Sequence, residues 1–181
     1  MAEVADRYRR LSDVFASRIE AVAPDGWDAI TPCPDWNVRD LIGHVVEMNQ
    51  IHLGLVGRKP RRGPTVDEDP LGAFLTTRDQ AQEDLEDPAK AAVEFDSRFG
   101  RWSFAQAIDR GMCVDLAVHG WDLSQATGQD DSIDPDVLPY LWRSIESIGE
   151  EGIRFGFGPA LDPPADADEQ TRLLAYLGRR A

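Results

Sequence analysis

The chain has 181 residues, a length that suits one domain with one sizeable core able to fold without disulfide staples, and the expectation is a single helical domain over residues 1–181. Hydrophobic residues make up 42% and charged residues 29%, an ordinary globular mixture that argues against wholesale disorder. The formal net charge of −14 repels phosphate backbones and anionic lipid surfaces, which disfavours nucleic acid and membrane as partners.

No apolar stretch is long enough to span a bilayer, and MAEVADRYRRLSD lacks the apolar core of a signal peptide, so the expected location is the cytoplasm. Cys33 and Cys113 are too few for a disulfide framework and too far apart for a paired zinc-ribbon motif; thiols in a reducing compartment are the default reading.

In chain order, Val4, Tyr8, Leu11, Phe15, Ile19 and Val22 recur at helical spacing and predict a first amphipathic helix, stopped by Pro24 and Gly26. TPCPDW is a turn. Asn37 then stands as the cap of a second helix from Val38 to Val56, with Asp40 at the third position completing a weaker version of the capping box. Residues 57–70 carry three prolines and two glycines and read as a long crossover between neighbouring helices. A third helix is expected from Leu71 to Leu85, an extended piece at AVEFD, and a turn at Gly100. Ser103 caps a long fourth helix, Phe104 to Ala126, which Gly128 ends. A further helix from Pro135 to Glu151, an acidic Pro-rich stretch and a short helix in EQTRLLAYLGR close the chain. The expected fold class is all-α.

Two of these helices place polar groups on their apolar faces. On the second, His44 falls within the stripe formed by Leu41, Val45, Met48, Ile51 and Leu55. An inward imidazole costs a few kcal/mol unless something accepts its proton or its lone pair. On the fourth, Asp115, His119 and Asp122 share a face with Phe104, Ile108, Met112, Val118 and Ala126. Asp115 and His119 are four residues apart, so they stack about 6 Å apart along the axis and are able to chelate one ion; the same spacing also suits an intrahelical ion pair. His44 joined to this pair gives two neutral nitrogens and one carboxylate, a divalent-metal donor set with positions open to water or substrate. His52 lies about 12 Å further along its helix than His44 and is excluded from the same ion. Asp122 either replaces Asp115 as the carboxylate ligand or orients an imidazole from behind; Asp115 is the preferred ligand.

Other residues carry weaker signals. Cys33 precedes a helix N-terminus, which favours a reactive thiol, but no histidine adjoins it in sequence; Cys113 reads as packing. Trp36 and Trp121 flank the ligand regions as pocket walls or core anchors. Arg39 reads as a partner for Asp122 or an acidic substrate, or as a solvated charge, and RKPRR as an anion-attracting mouth or a solvated loop.

TPCPDWNVRDLIGHVV, followed some seventy residues later by DLAVHGWDLSQATGQ, resembles the metal-binding N-terminal domain of mycothiol-dependent maleylpyruvate isomerases, within the DinB/YfiT-like superfamily. The resemblance covers about residues 5–130, and HGWDLSQATGQ is its most specific part. It implies a four-helix bundle with extra elements and metal ligands at His44, Asp115 and His119. It implies zinc, with nickel or another divalent ion as alternatives, and a low-molecular-weight thiol such as mycothiol as cosubstrate. A thiol-dependent transferase or isomerase acting on an electrophilic small molecule is then the expected function; the alternative is a non-catalytic metal-binding or stress-responsive bundle. A homodimer is a family-level expectation. Two departures count against maleylpyruvate isomerisation itself: the isomerase has Glu where this chain has Asp115, and a second C-terminal domain where this chain has about fifty residues after the ATGQ segment.

Overall fold

The computed structural model describes residues 2–180. Its chain divides into two compact units, Met1–Asp131 and Ser132–Ala181. The first is a helical bundle. Helix α1 (Ala2–Glu20) packs on α3 (Pro70–Glu86) and on α6 (Cys113–Thr127), and α2 (Val38–Leu55) packs on the same two helices. Among the described residues the fold is all-α apart from one antiparallel hairpin, in which β1 (Glu94–Ser97) pairs with β2 (Gly100–Ser103) after the single-turn helix α4 (Pro88–Ala91). Among the described residues, no helix is long and apolar enough to cross a membrane.

Local chemistry sets the boundaries. The Asn37 side chain accepts from the Asp40 amide while the Asp40 carboxylate accepts from the Asn37 amide, so two donors that the helix leaves over at its first turn are satisfied reciprocally. Asp69 caps α3 with Pro70 in its first turn. Gly128, at φ 68°, ends α6 in the left-handed conformation that a side chain would oppose.

The fourth helix of the sequence reading is not one regular helix. Helix α5 (Phe104–Ala107) runs into a π-helical turn over Ile108–Met112 before α6 begins. Such a turn inserts one residue without interrupting the apolar pattern, so periodicity does not reveal it. Helix α6 is central and buried almost all round, from Cys113 to Ser124 apart from Asp115.

Helix α2 also departs from its expected stripe. Ile51 and Leu55 are 44% and 46% exposed, whereas Ile42, Asn49, His52 and Leu53 are buried. A helix wedged between two partners buries a broader arc than a single stripe describes. Within that arc the Tyr8 hydroxyl of α1 donates to Asn49 Oδ1 at 2.6 Å, and Asn49 donates to the Val45 carbonyl, closing a buried polar bridge. Tyr8→Phe removes the donor and leaves a buried acceptor unpaired; the expected loss is about 1–3 kcal/mol, read as a lower midpoint with unchanged slope in urea unfolding.

The second unit carries α7 (Leu138–Ile148), α8 (Glu150–Gly156) and α9 (Glu169–Tyr176). The single helix expected over Pro135 to Glu151 is split at Gly149, whose φ of 80° breaks the helical path. The EQTRLLAYLGR helix is present as α9, capped by Asp168.

Candidate metal centre

The turn before α2 builds one wall. Thr31 and Trp36 close it, with the Thr31 amide and hydroxyl both donating to the Trp36 carbonyl at 3.0 Å. Asp35 completes the turn at φ 66°, a conformation that Asp tolerates better than most residues. Two side chains are thereby aimed at the bundle. Trp36 lies against His44 with ring centroids 4.7 Å apart and reaches His119 at 6.0 Å. Cys33 is buried with Sγ 3.2 Å from Asp122 Oδ2 and 3.8 Å from His119 Nδ1.

Helices α2 and α6 bring the two expected histidines together. His44 and His119 stand edge to face with centroids 5.0 Å apart. His119 is buried, and its Nδ1–H donates to Asp122 Oδ2 at 2.9 Å, with the Asp122 carboxylate wholly inaccessible. That bond fixes the tautomer and ring orientation and assigns any ligand role to Nε2, across the ring from Asp122. Asp115 sits one turn before His119, half-buried, and its charge acts on both imidazoles.

The two rings differ electrostatically. Burial depresses the His44 pKa and the charge on His119 depresses it further, with Asp115 and Glu47 opposing more weakly. Burial works against charge on His119 too, but hydrogen bonding to Asp122 and Cys33, with the charges of Asp115 and Asp122, outweighs it and holds the pKa up at about 10. A proton is therefore held more readily by His119 than by His44, and an ion taking His119 as a ligand competes with a proton for the ring.

Among the described residues, one group of three His, Cys or acidic side chains has donor atoms all within 4.8 Å of one another, and it is Cys33, His119 and Asp122. Cys33 is the member that sequence reasoning left out: it is 86 residues from His119 along the chain and adjoins it only in space. His52 is separate. It is buried, bonded through Nδ1–H to the Met48 carbonyl at 2.7 Å, with Gly111 of the π turn against its Nε2.

A cavity of about 480 Å³ opens beside His44, lined by Asp35, Trp36, Arg39, Glu47 and Asp67 among others. Arg39 is held over the Trp27 ring and donates to the Val66 carbonyl, so it belongs to the cavity wall rather than to Asp122. The RKPRR segment is tied instead to α3, Arg58 pairing with Asp84 and Arg61 with Glu83, and does not line the cavity. Trp121 is a fully buried core residue, and Cys113 packs in the core.

Residues 8–124 match the family model described as the mycothiol maleylpyruvate isomerase N-terminal domain. Two uncharacterised proteins of Mycobacterium tuberculosis, one from strain CDC 1551 / Oshkosh and one from strain H37Rv, are each 28% identical over 180 residues, covering 95% of this chain and 95% of their own. No solved structure matches.

Proposed function

From the fact that the chain belongs to the mycothiol maleylpyruvate isomerase N-terminal domain family, we propose that it binds a divalent metal ion through His44, Asp115 and His119 and uses it as a thiol-dependent transferase or isomerase-like enzyme. The observation that carries this reading is the pair of imidazoles delivered by two helices to within 5.0 Å, one of them held through Nδ1 by a buried carboxylate. By donor type, two imidazole nitrogens and a carboxylate suit zinc first, then nickel and its neighbours, with a position left for a further ligand. Bound there, such an ion lowers the pKa of a coordinated thiol and so supplies a thiolate nucleophile at neutral pH.

The remaining work falls to the chain itself. Asp122 keeps His119 in the tautomer that presents Nε2. Trp36 packs against the His44 ring. The cavity beside them falls within the size range of small-molecule sites.

A second reading has an observation of its own. The compact Cys33, His119 and Asp122 group suits a closed, non-catalytic metal site in a binding or stress-responsive protein. Cobalt-substituted protein separates the two. On the enzymatic reading, added low-molecular-weight thiols shift the visible cobalt spectrum saturably; no response to any thiol in a panel that includes mycothiol favours the closed site.

A further inference from the structure

The structure gives Cys33 a position that the proposed ligand set does not use. Asp122 Oδ2 accepts two hydrogen bonds, from His119 Nδ1–H at 2.9 Å and from the Cys33 thiol at 3.2 Å. A carboxylate with no solvent exposure depends on such donors, because each one missing costs the full desolvation of the charge it would have met. The thiol is a weak donor in general, but donation to an ionised carboxylate strengthens it.

Its placement is rigid. The Cys33 amide donates to Thr31 Oγ1 at 3.2 Å, and the Cys33 carbonyl accepts from the Trp36 amide at 3.2 Å. One short turn therefore carries both the thiol beside His119 and the Trp36 ring against His44.

We propose that Cys33 is a positioning residue for the metal centre: its thiol anchors the Asp122 carboxylate, which in turn aims His119, so the chain Cys33 to Asp122 to His119 sets metal affinity without Cys33 touching the ion. This rests on the metal-binding reading above. It assigns the compact Cys33, His119 and Asp122 group to a hydrogen-bonded support rather than to a ligand set. Two donors converging on one shared oxygen are what a support requires. The 2.9 Å contact between Nδ1 and Oδ2 marks a hydrogen bond already made.

The test measures zinc affinity by chelator competition, and the cobalt spectrum without added thiol, in the full chain and in Cys33→Ala, Cys33→Ser, Asp122→Asn and the Cys33→Ala/Asp122→Asn double variant. Loss of a residue supporting a ligand weakens metal binding by roughly 10–100-fold, and Asp122→Asn is expected in that range. Cys33→Ala is expected near its lower end. Cys33→Ser keeps a donor and restores binding close to that of the parent chain. In the Asp122→Asn background Cys33→Ala has no further effect, since the route through Asp122 is already cut. Thermal unfolding of each metal-free variant is followed in parallel, because a merely packing role lowers stability without changing affinity or the cobalt bands.

Three outcomes overturn the proposal. One is metal affinity unchanged in Cys33→Ala. Another is an additive effect in the double variant. The third is an intense thiolate-to-cobalt charge-transfer band in the parent chain that disappears in Cys33→Ser, which makes Cys33 a ligand. A parent chain that binds neither zinc nor cobalt overturns the metal-binding reading itself and this inference with it.

Discussion

Alanine at His44 or at His119 is expected to strip the protein of metal, taking the content of chain purified without chelator from near-stoichiometric to background. Both imidazoles belong to the proposed ligand set, and a site left with one nitrogen and one carboxylate does not retain an ion against water. The two variants differ in what else they disturb. His44 is half-buried at the edge of the cavity, so its removal leaves no charge stranded in the core. His119 is the partner of a wholly buried carboxylate, so His119→Ala also destabilises the fold, by about 3 kcal/mol. His44→Ala is therefore the cleaner probe: metal lost with the far-ultraviolet dichroism and unfolding midpoint of the metal-free protein intact. Retention of metal by both variants contradicts the assignment.

The largest effect on stability is expected in the packing of α1 on α3. Phe15 of α1 and Phe74 of α3 are both fully buried, with ring centroids 5.0 Å apart and planes tilted by 60°. Phe15→Ala removes the ring, its aromatic contact and the seam between two bundle helices, and leaves a cavity that the surrounding side chains only partly fill. The expected cost is about 3–5 kcal/mol, measured by urea unfolding of the metal-free protein. A loss below about 1 kcal/mol places the α1–α3 contact outside the cooperative core.

Much of this fold is written in local signals. The Asn37 and Asp40 box, the Ser103 cap and the glycine at 128 each act within a few residues, so they are readable before any tertiary structure exists, and they start and stop helices where expected. The apolar spacing of α1 places Tyr8, Leu11, Phe15 and Ile19 in the core as read. The family match over residues 8–124 likewise bears out the resemblance carried by the TPCPDWNVRDLIGHVV and DLAVHGWDLSQATGQ segments.

What escaped the sequence is what depends on helix pairing. The π turn over Ile108–Met112 adds one residue inside an unbroken apolar pattern, and the break at Gly149 interrupts a segment whose periodicity continues across it. The inward face of α2 depended on its being flanked by both α3 and α6, which left Ile51 and Leu55 outside. At the site, spacing along α6 placed Asp115, His119 and Asp122 on one face, but the approach of His44 to His119 is a property of how α2 and α6 pack. The contact of Cys33 with Asp122 is less legible still, because it joins a turn to a helix 89 residues away through side chains alone. The one available hint was a cysteine in a Pro-flanked turn at the foot of a capped helix, and that pattern more often marks a small buried side chain than a supporting donor.

The most direct measurement is the metal content of the unmodified chain, purified without chelator and without a polyhistidine tag, by elemental analysis against protein concentration. A divalent ion, zinc foremost, is expected to be bound near-stoichiometrically to the chain. Metal-free protein that stays folded and takes up neither zinc nor nickel when they are supplied would contradict that expectation.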